Sequence, residues 1–374
     1  MPDQSCENES LLKVVKTPFA GRSYRTNRTL LAGTAVLDVA SPYAETVYKH
    51  FRTEVCAECW RYDGGRRTFL TSRELGKSAG LSFCDDRCKQ QWIEREGDDT
   101  VTLLAELECA RRQRPIHQQK DSDKGRTQDA PSQEEIQKIV NQAWETVCQD
   151  SKRTKQLRQW RAVQLDDFEA DLARYVLLAL CRYAREALLQ VQASDAPTEF
   201  GIARWKDFAD LQSGELQQVS KFPDILDNHM RIYQVLCVRF GAVETSEPLS
   251  AFRHVLSKAV TAKNVRTALS VDPGNSFGIW ELPLTDESEG LGFGVYPMPS
   301  FFNHNCSPNL IKKRDGRRLL FITTRSVDAG EELCISYGHV DGMELKLRRK
   351  ELQDGWFFHC QCNRCMAEEA ASAV

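Results

Sequence analysis

The 374-residue sequence has no apolar run approaching bilayer-spanning length, and its opening Met1-Pro2-Asp3-Gln4 lacks the charged-then-apolar pattern of a secretion signal. These absences point to a soluble protein of the cytoplasm or nucleus. Charge of one sign is not in surplus: 50 basic against 53 acidic residues leave a formal net charge of −3, so the chain as a whole is not an electrostatic binder of nucleic acid. No internal repeat of about 20–50 residues is present, which argues against a solenoid. Classical Cys₂His₂ spacing is also missing, which argues against a zinc-finger DNA-binding regulator.

What is present fits a globular protein. Hydrophobic residues make up 41% and charged residues 28%, and the length gives room for about two domains or one domain with large insertions. The segment Ala20 to Thr26 and the run Leu30 to Leu37 read as two short strands joined by a polar turn. A compact cysteine-bearing unit follows, from Cys56 to about Trp92. Residues 111–135 are polar with little to bury and read as a linker. From about Glu134 to Leu256 the pattern is helical, clearest where Leu165, Phe168, Leu172, Tyr175, Val176, Ala179 and Tyr183 recur at spacings of three and four. After Asp272-Pro273-Gly274 come short β-type runs: Phe277–Trp280, Gly292–Tyr296, Leu319–Thr323 and Leu333–Tyr337. Two strands alone at the N-terminus would not be stable, so they should pair with the C-terminal strands.

Fourteen cysteines in a chain without a secretion signal suggest metal ligation rather than disulfides. Cys56 and Cys59 form one ligand-spaced pair and Cys84 and Cys88 another; together they complete a tetrahedral zinc site. Cys360, Cys362 and Cys365 supply three more thiolates and leave one position to fill. Cys306 is the favoured fourth ligand, with Cys109 and Cys334 as substitutes, although Cys334 sits in an apolar strand where a buried thiol is the simpler expectation. Cys6, Cys148, Cys181 and Cys237 lie singly and read as ordinary thiols. Two zinc sites are expected.

The run Phe302-Asn303-His304-Asn305-Cys306-Ser307-Pro308-Asn309 and the run Gly330-Glu331-Glu332-Leu333-Cys334-Ile335-Ser336-Tyr337, followed by the Cys360–Cys365 cluster, resemble in order and spacing the SET-and-MYND-domain protein lysine methyltransferases. The resemblance implies an α+β fold: a β-rich SET domain with a pseudoknot, interrupted by a small zinc finger and a helical insertion, and closed by a post-SET zinc cluster. It divides the chain into residues 14–50 (N-terminal SET part), 51–110 (reduced MYND-type finger), 111–135 (linker), 136–265 (helical insertion), 266–345 (core SET) and 346–374 (post-SET). It implies methyl transfer from S-adenosylmethionine to a lysine of a protein substrate, histone or non-histone, by a monomer with no nucleic acid or membrane partner.

Residue by residue, the resemblance makes Tyr337 the catalytic tyrosine. It assigns cofactor contacts to Asn275, Asn303, His304 and Tyr337, and to Trp356 and Phe358, whose rings would cover the adenine and wall the lysine channel. Gly21, Arg22 and Ser23 match a cofactor-facing strand in which the family has a second glycine where this chain has Ser23. The finger keeps the two pairs that share one ion and lacks the ligands for another. These departures motivate a rival reading, a non-catalytic scaffold that retains the fold.

Overall fold

The computed structural model describes residues 11–17, 21–65, 78–112, 131–190, 203–241, 250–285, 287–338 and 340–372. Residues 113–130 of the expected linker, the centre of the finger's loop and Cys6 lie outside them. In chain order the elements are β1 (Leu12–Thr17), β2 (Gly21–Thr26), β3 (Ala35–Val39), β4 (Ala44–Val47), α1 (Asp86–Glu96), α2 (Asp98–Glu108), α3 (Gln133–Asp150), α4 (Thr154–Trp160), α5 (Asp167–Gln190), α6 (Trp205–Ala209), α7 (Glu215–Lys221), α8 (Ile225–Phe240), α9 (Ala251–Ala259) and α10 (Ala262–Asn275). They continue with β5 (Ser276–Trp280), β6 (Gly290–Val295), β7 (Asn303–His304), β8 (Leu310–Asp315), β9 (Arg318–Thr323), β10 (Cys334–Ile335), α11 (Leu345–Trp356) and α12 (Asn363–Ser372). The chain forms two compact units: Met1–Ser41, Thr198–Ile202 and Tyr296–Val374 make one, and Pro42–Pro197 with Ala203–Val295 the other.

The first unit is β-rich. β1 and β2 form an antiparallel hairpin running from Leu12 opposite Thr26 to Thr17 opposite Gly21. On its other side β2 meets the segment before β10: Thr26 N–H donates to Glu331 O at 3.1 Å, and Leu333 N–H to Tyr24 O at 2.9 Å. β10 then pairs in parallel with β7, Cys334 opposite Asn303 and Ile335 opposite His304. Residues 331–335 therefore run between β2 and β7. A second sheet has the order β3-β9-β8, all antiparallel, with Gly316 at φ 54° in the tight β8–β9 turn. The expected pairing of N-terminal with C-terminal strands is present in β3–β9 and in the Leu30–Val327 bridge. Sequence patterning did not anticipate β1 or β8, and the run Leu333–Tyr337 forms a ladder only at Cys334–Ile335, because its earlier residues bond sideways to β2.

The second unit is mainly helical. In α5 Leu172, Tyr175, Val176 and Ala179 are buried, and the Tyr175 hydroxyl donates to Ala268 O at 3.2 Å. Phe168 is exposed instead of lying on that face. Leu165 lies before the helix, in a bridge with Arg111, and Phe168 stands in the helix's first turn, at the end of the buried stripe. Ser132 and Glu135 close a capping box at the start of α3. β4, β6 and β5 form an antiparallel sheet in that order. A Cβ at Gly292 would come within 2.1 Å of Thr46 O, so only glycine permits this approach of β6 to β4.

A buried charge network joins elements of this unit. Arg52 bonds Glu108 at 2.5 Å and also pairs with Asp171, while Arg111 reaches Glu108 at 2.8 Å and Asp171 at 3.2 Å. Burial acts to raise the Glu108 carboxyl, but the Arg111 hydrogen bond and the charges of Arg52 and Arg174 outweigh it and hold the group below its ordinary value. Its contribution to stability is thus fully present above the unfolded-state value of about 4.3 and is lost as the pH falls through the lower folded-state value. Asp171→Ala should destabilise the protein by about 3 kcal/mol at neutral pH, because two buried guanidiniums each lose one carboxylate partner and keep Glu108. The shift in the denaturant midpoint measures this, and a loss under about 1 kcal/mol contradicts it.

Candidate active site and metal centres

The parallel pairing of β7 with β10 sets Asn303 and His304 beside the chain leading to Tyr337. Tyr337 N–H donates to His304 Nδ1 at 2.9 Å. A backbone N–H can only donate, so Nδ1 is an acceptor and the neutral ring carries its proton on Nε2. That nitrogen lies 3.2 Å from Cys306 Sγ. Burial lowers the imidazole to about 4, in keeping with a neutral ring. Both ring nitrogens are thus engaged within the protein.

The Tyr337 hydroxyl donates to Phe302 O at 2.8 Å, which leaves its oxygen lone pairs as acceptors. Burial pushes this phenol above its ordinary value, with Cys334 and Glu332 adding to the effect, so it stays neutral at ordinary pH. Trp356 and Phe358 stand beside it, at ring separations of 5.6 and 6.1 Å, and Phe358 is 5.9 Å from the His304 ring. They come there because α11 ends at Trp356, and Phe357 turns the chain with φ 61°, a left-handed C-cap.

Asn303 is half-buried and donates to Glu332 Oε1 at 2.9 Å. Asn309 donates to Glu332 O and accepts from Cys334 N–H, both at 2.8 Å, and so stitches the threaded segment in place. Glu332 and Asn309 lie in the two runs that carry the family resemblance, but their contact spans 23 residues, which neither run by itself encodes. Ser23 is fully buried on β2, and its hydroxyl has no hydrogen-bond partner among the described residues. Continuing the Arg25–Glu332 bridge two residues along each strand sets Ser23 opposite Cys334, which pairs with Asn303. Gly21 has φ 70°, and the Arg22 guanidinium lies 4.6 Å from the centre of the Phe301 ring.

Asn275 belongs to the other unit. Both hydrogens of its amide are used, on Gln212 O at 2.8 Å and Val271 O at 2.7 Å. It has no donor to offer a ligand.

Two thiol clusters match the expected metal sites. In each, Cys56, Cys59, Cys84 and Cys88 or Cys306, Cys360, Cys362 and Cys365, the four sulfurs lie within 4.8 Å of one another. Neighbouring sulfurs are 3.7 Å (Cys59–Cys84) and 3.4 Å (Cys84–Cys88) apart in the first, and 3.8 Å (Cys306–Cys360) and 3.5 Å (Cys306–Cys365) in the second. A tetrahedron of thiolates about 2.3 Å from zinc has edges of about 3.8 Å, so both clusters fit the ion. Cys306 is the fourth member at the C-terminal site. Cys109 is exposed, with its thiol against Ala105 O, and Cys334 is buried in β10; neither joins a cluster. The thiols also show why a cation is needed: hydrogen bonding from Cys59 draws Cys56 down to about 5, while burial pushes Cys88 and Cys306 up. Four such groups do not ionise together unaided.

Native mass spectrometry should therefore find zinc at both clusters, with one ion lost in Cys59→Ser and the other in Cys306→Ser. A metal-free wild-type chain would overturn both assignments.

Comparison with known proteins agrees with this geometry. The SET domain family model matches residues 48–338, well over half of the chain. The potential protein lysine methyltransferase SET6 of Saccharomyces cerevisiae is 24% identical over 97% of this chain and 96% of its own length. Two shorter similarities, at higher identity, are to a SET and MYND domain-containing protein of Dictyostelium discoideum, 41% identical over 24% of this chain and 21% of that protein, and to histone-lysine N-methyltransferase SMYD3 of Mus musculus, 40% identical over 22% and 19%. With the threaded β7–β10 pair, the tyrosine it positions and a family match that ends one residue beyond that tyrosine, the chain belongs to the SET-domain family.

Proposed function

We propose that this protein transfers a methyl group from S-adenosylmethionine to the side-chain nitrogen of a lysine in another protein. The observation that carries the reading is Tyr337: a half-buried, neutral phenol whose proton is committed to Phe302 O, beside Trp356, Phe358 and the Asn303–His304 strand. When bound, the cofactor supplies a methyl group on a sulfonium centre as the electrophile.

The residues present fit such a ligand. Asn303 has amide hydrogens for more than its bond to Glu332. The buried hydroxyl of Ser23, which stands opposite Cys334, is the kind of group that a bound polar ligand satisfies. The Trp356, Phe358 and Tyr337 rings offer flat apolar walls, and their π faces suit a cation or an alkyl-ammonium chain. His304 contributes through its backbone and through the position of Tyr337, because its ring is already used.

A lysine amine reacts only when neutral, and its ordinary value is about 10.4. Desolvation between aromatic walls, next to a positive sulfur, favours loss of that proton to solvent before transfer. Tyr337 is no base here, since its phenol already donates. With the cofactor bound, its oxygen would be free to accept weak C–H···O contacts from the methyl group while the thioether leaves, so rate would arise from placement and electrostatics. Substrates are protein lysines, and the same reading makes the enzyme a monomer of the nucleus or cytoplasm.

Labelled cofactor and a protein array provide the test. Tyr337→Phe should lower kcat at least about ten-fold, or about 1.4 kcal/mol, with cofactor affinity nearly unchanged. Asn303→Ala should instead weaken cofactor binding in calorimetry. Equal turnover by wild type and Tyr337→Phe removes the tyrosine from its role, and absence of cofactor binding by the wild type defeats the proposal.

A further inference from the structure

Arg348 of α11 is fully buried, yet it is a poor candidate for a simple structural staple. Its Nη1 donates to Met343 O at 2.7 Å, and its Nη2 lies 2.6 Å from Glu368 Oε2 and 3.5 Å from Cys365 Sγ. Nε is buried with no partner among the described residues. A guanidinium taken out of water is strongly disfavoured unless opposite charge stands close to it, and an unsatisfied donor adds to that cost. Glu368 offsets only part of this, because its side chain is 37% exposed and water screens it.

The remaining negative charge is the thiol cluster itself. Four thiolates around a divalent ion leave the centre with a net charge of about −2. Cys306, Cys360 and Cys365 are buried, so that charge is poorly solvated. Two neighbouring arginines treat the cluster differently. Arg349 donates to Cys360 O at 3.1 Å, and Arg364 to Cys306 O at 3.2 Å and Asp341 O at 3.1 Å, so they hold the ligand loops by their carbonyls. Arg348 reaches a sulfur.

We propose that Arg348 is the internal counter-charge of the C-terminal metal site. It is a positioning residue and not a ligand: its guanidinium stabilises the thiolate set, and its share of charge is divided between Cys365 and Glu368. Retention of the ion in turn keeps Tyr337, Trp356 and Phe358 packed on the cluster they share with Leu352 and Val340. The inference rests on the reading of this cluster as a zinc site and is independent of the methyl-transfer reading.

The test is the rate at which the full-length zinc-loaded protein gives up its ions to a chromophoric chelator, with the Cys56–Cys88 site as internal reference. Arg348→Gln should release the C-terminal ion roughly ten to a hundred times faster and leave the other ion's rate unchanged. Arg348→Lys, which keeps the charge and loses the fork, should fall between Arg348→Gln and wild type. Glu368→Gln should release no faster than wild type, since it returns the whole guanidinium charge to the thiolates. Equal rates for Arg348→Gln and Arg348→Lys overturn the proposal in favour of a packing role. Acceleration in Glu368→Gln equal to that in Arg348→Gln overturns it in favour of an α11–α12 ion-pair staple, and faster loss of both ions reveals general unfolding and overturns it too. A wild-type C-terminal site without zinc overturns it together with the metal assignment, whatever the outcome of the methyl-transfer assay.

Discussion

The site depends on one short segment, residues 331–335, being held from both sides. β2 bonds it on one edge through Thr26 and Tyr24, and β7 on the other through Asn303 and His304. Asn309 closes the arrangement by satisfying Glu332 O and Cys334 N–H with one side chain. Withdrawing the segment would expose or orphan each of these backbone groups at once, so it is present whole or not at all. Its partners are far away in sequence: Arg25 donates to Gly330 O across 305 residues. The loop-closure entropy of such contacts has to be overcome by burial elsewhere, and that is a reason for the packed strands around it.

The C-terminal thiol cluster extends this constraint to the tail. Cys306 follows the Asn303–His304 strand by two residues and sits 3.5 Å from Cys365, so the same loop that flanks Tyr337 also anchors α12. His304 links the two: one ring nitrogen serves the Tyr337 backbone and the other faces the Cys306 sulfur. Metal occupancy and the placement of the tyrosine are therefore connected through a single side chain. Such coupling explains why an enzyme with no covalent catalytic step would carry a structural metal next to its reacting groups.

The chemistry follows from what these groups are unable to do. A neutral phenol already donating its proton is no general base, and a neutral imidazole with both nitrogens engaged is no acid. What remains is shape, dryness and acceptor oxygens at fixed positions, the requirements for aligning an amine behind a methyl cation equivalent. The helical unit, with its buried Arg52–Asp171–Arg111 network, shows the opposite use of polar groups: ionic and paired.

Much of this was legible in the residues. Ligand spacing was enough to pair Cys56 with Cys59 and Cys84 with Cys88, because two thiolates a few residues apart reach one ion without help from the fold. Periodicity located α5, β5, β6 and β9, since local side-chain alternation reflects local burial. It failed at β8, whose exposed Lys312 and Lys313 on an edge strand give no apolar signal, and at Phe168, which stands in the first turn of α5 and is exposed although its spacing fits the buried face. Sequence favoured Cys306 over Cys109 and Cys334 as the fourth C-terminal ligand, and the tertiary structure places its sulfur in that cluster and the other two outside it. It also decided that Asn275 spends its donors inside its own unit, that Ser23 has a buried hydroxyl without a partner, and that Arg348 meets a sulfur. By itself the sequence determined the family, the thiolate pairs and the tyrosine; the hydrogen-bond partner of each polar atom is set by contacts tens to hundreds of residues apart, which no local pattern encodes.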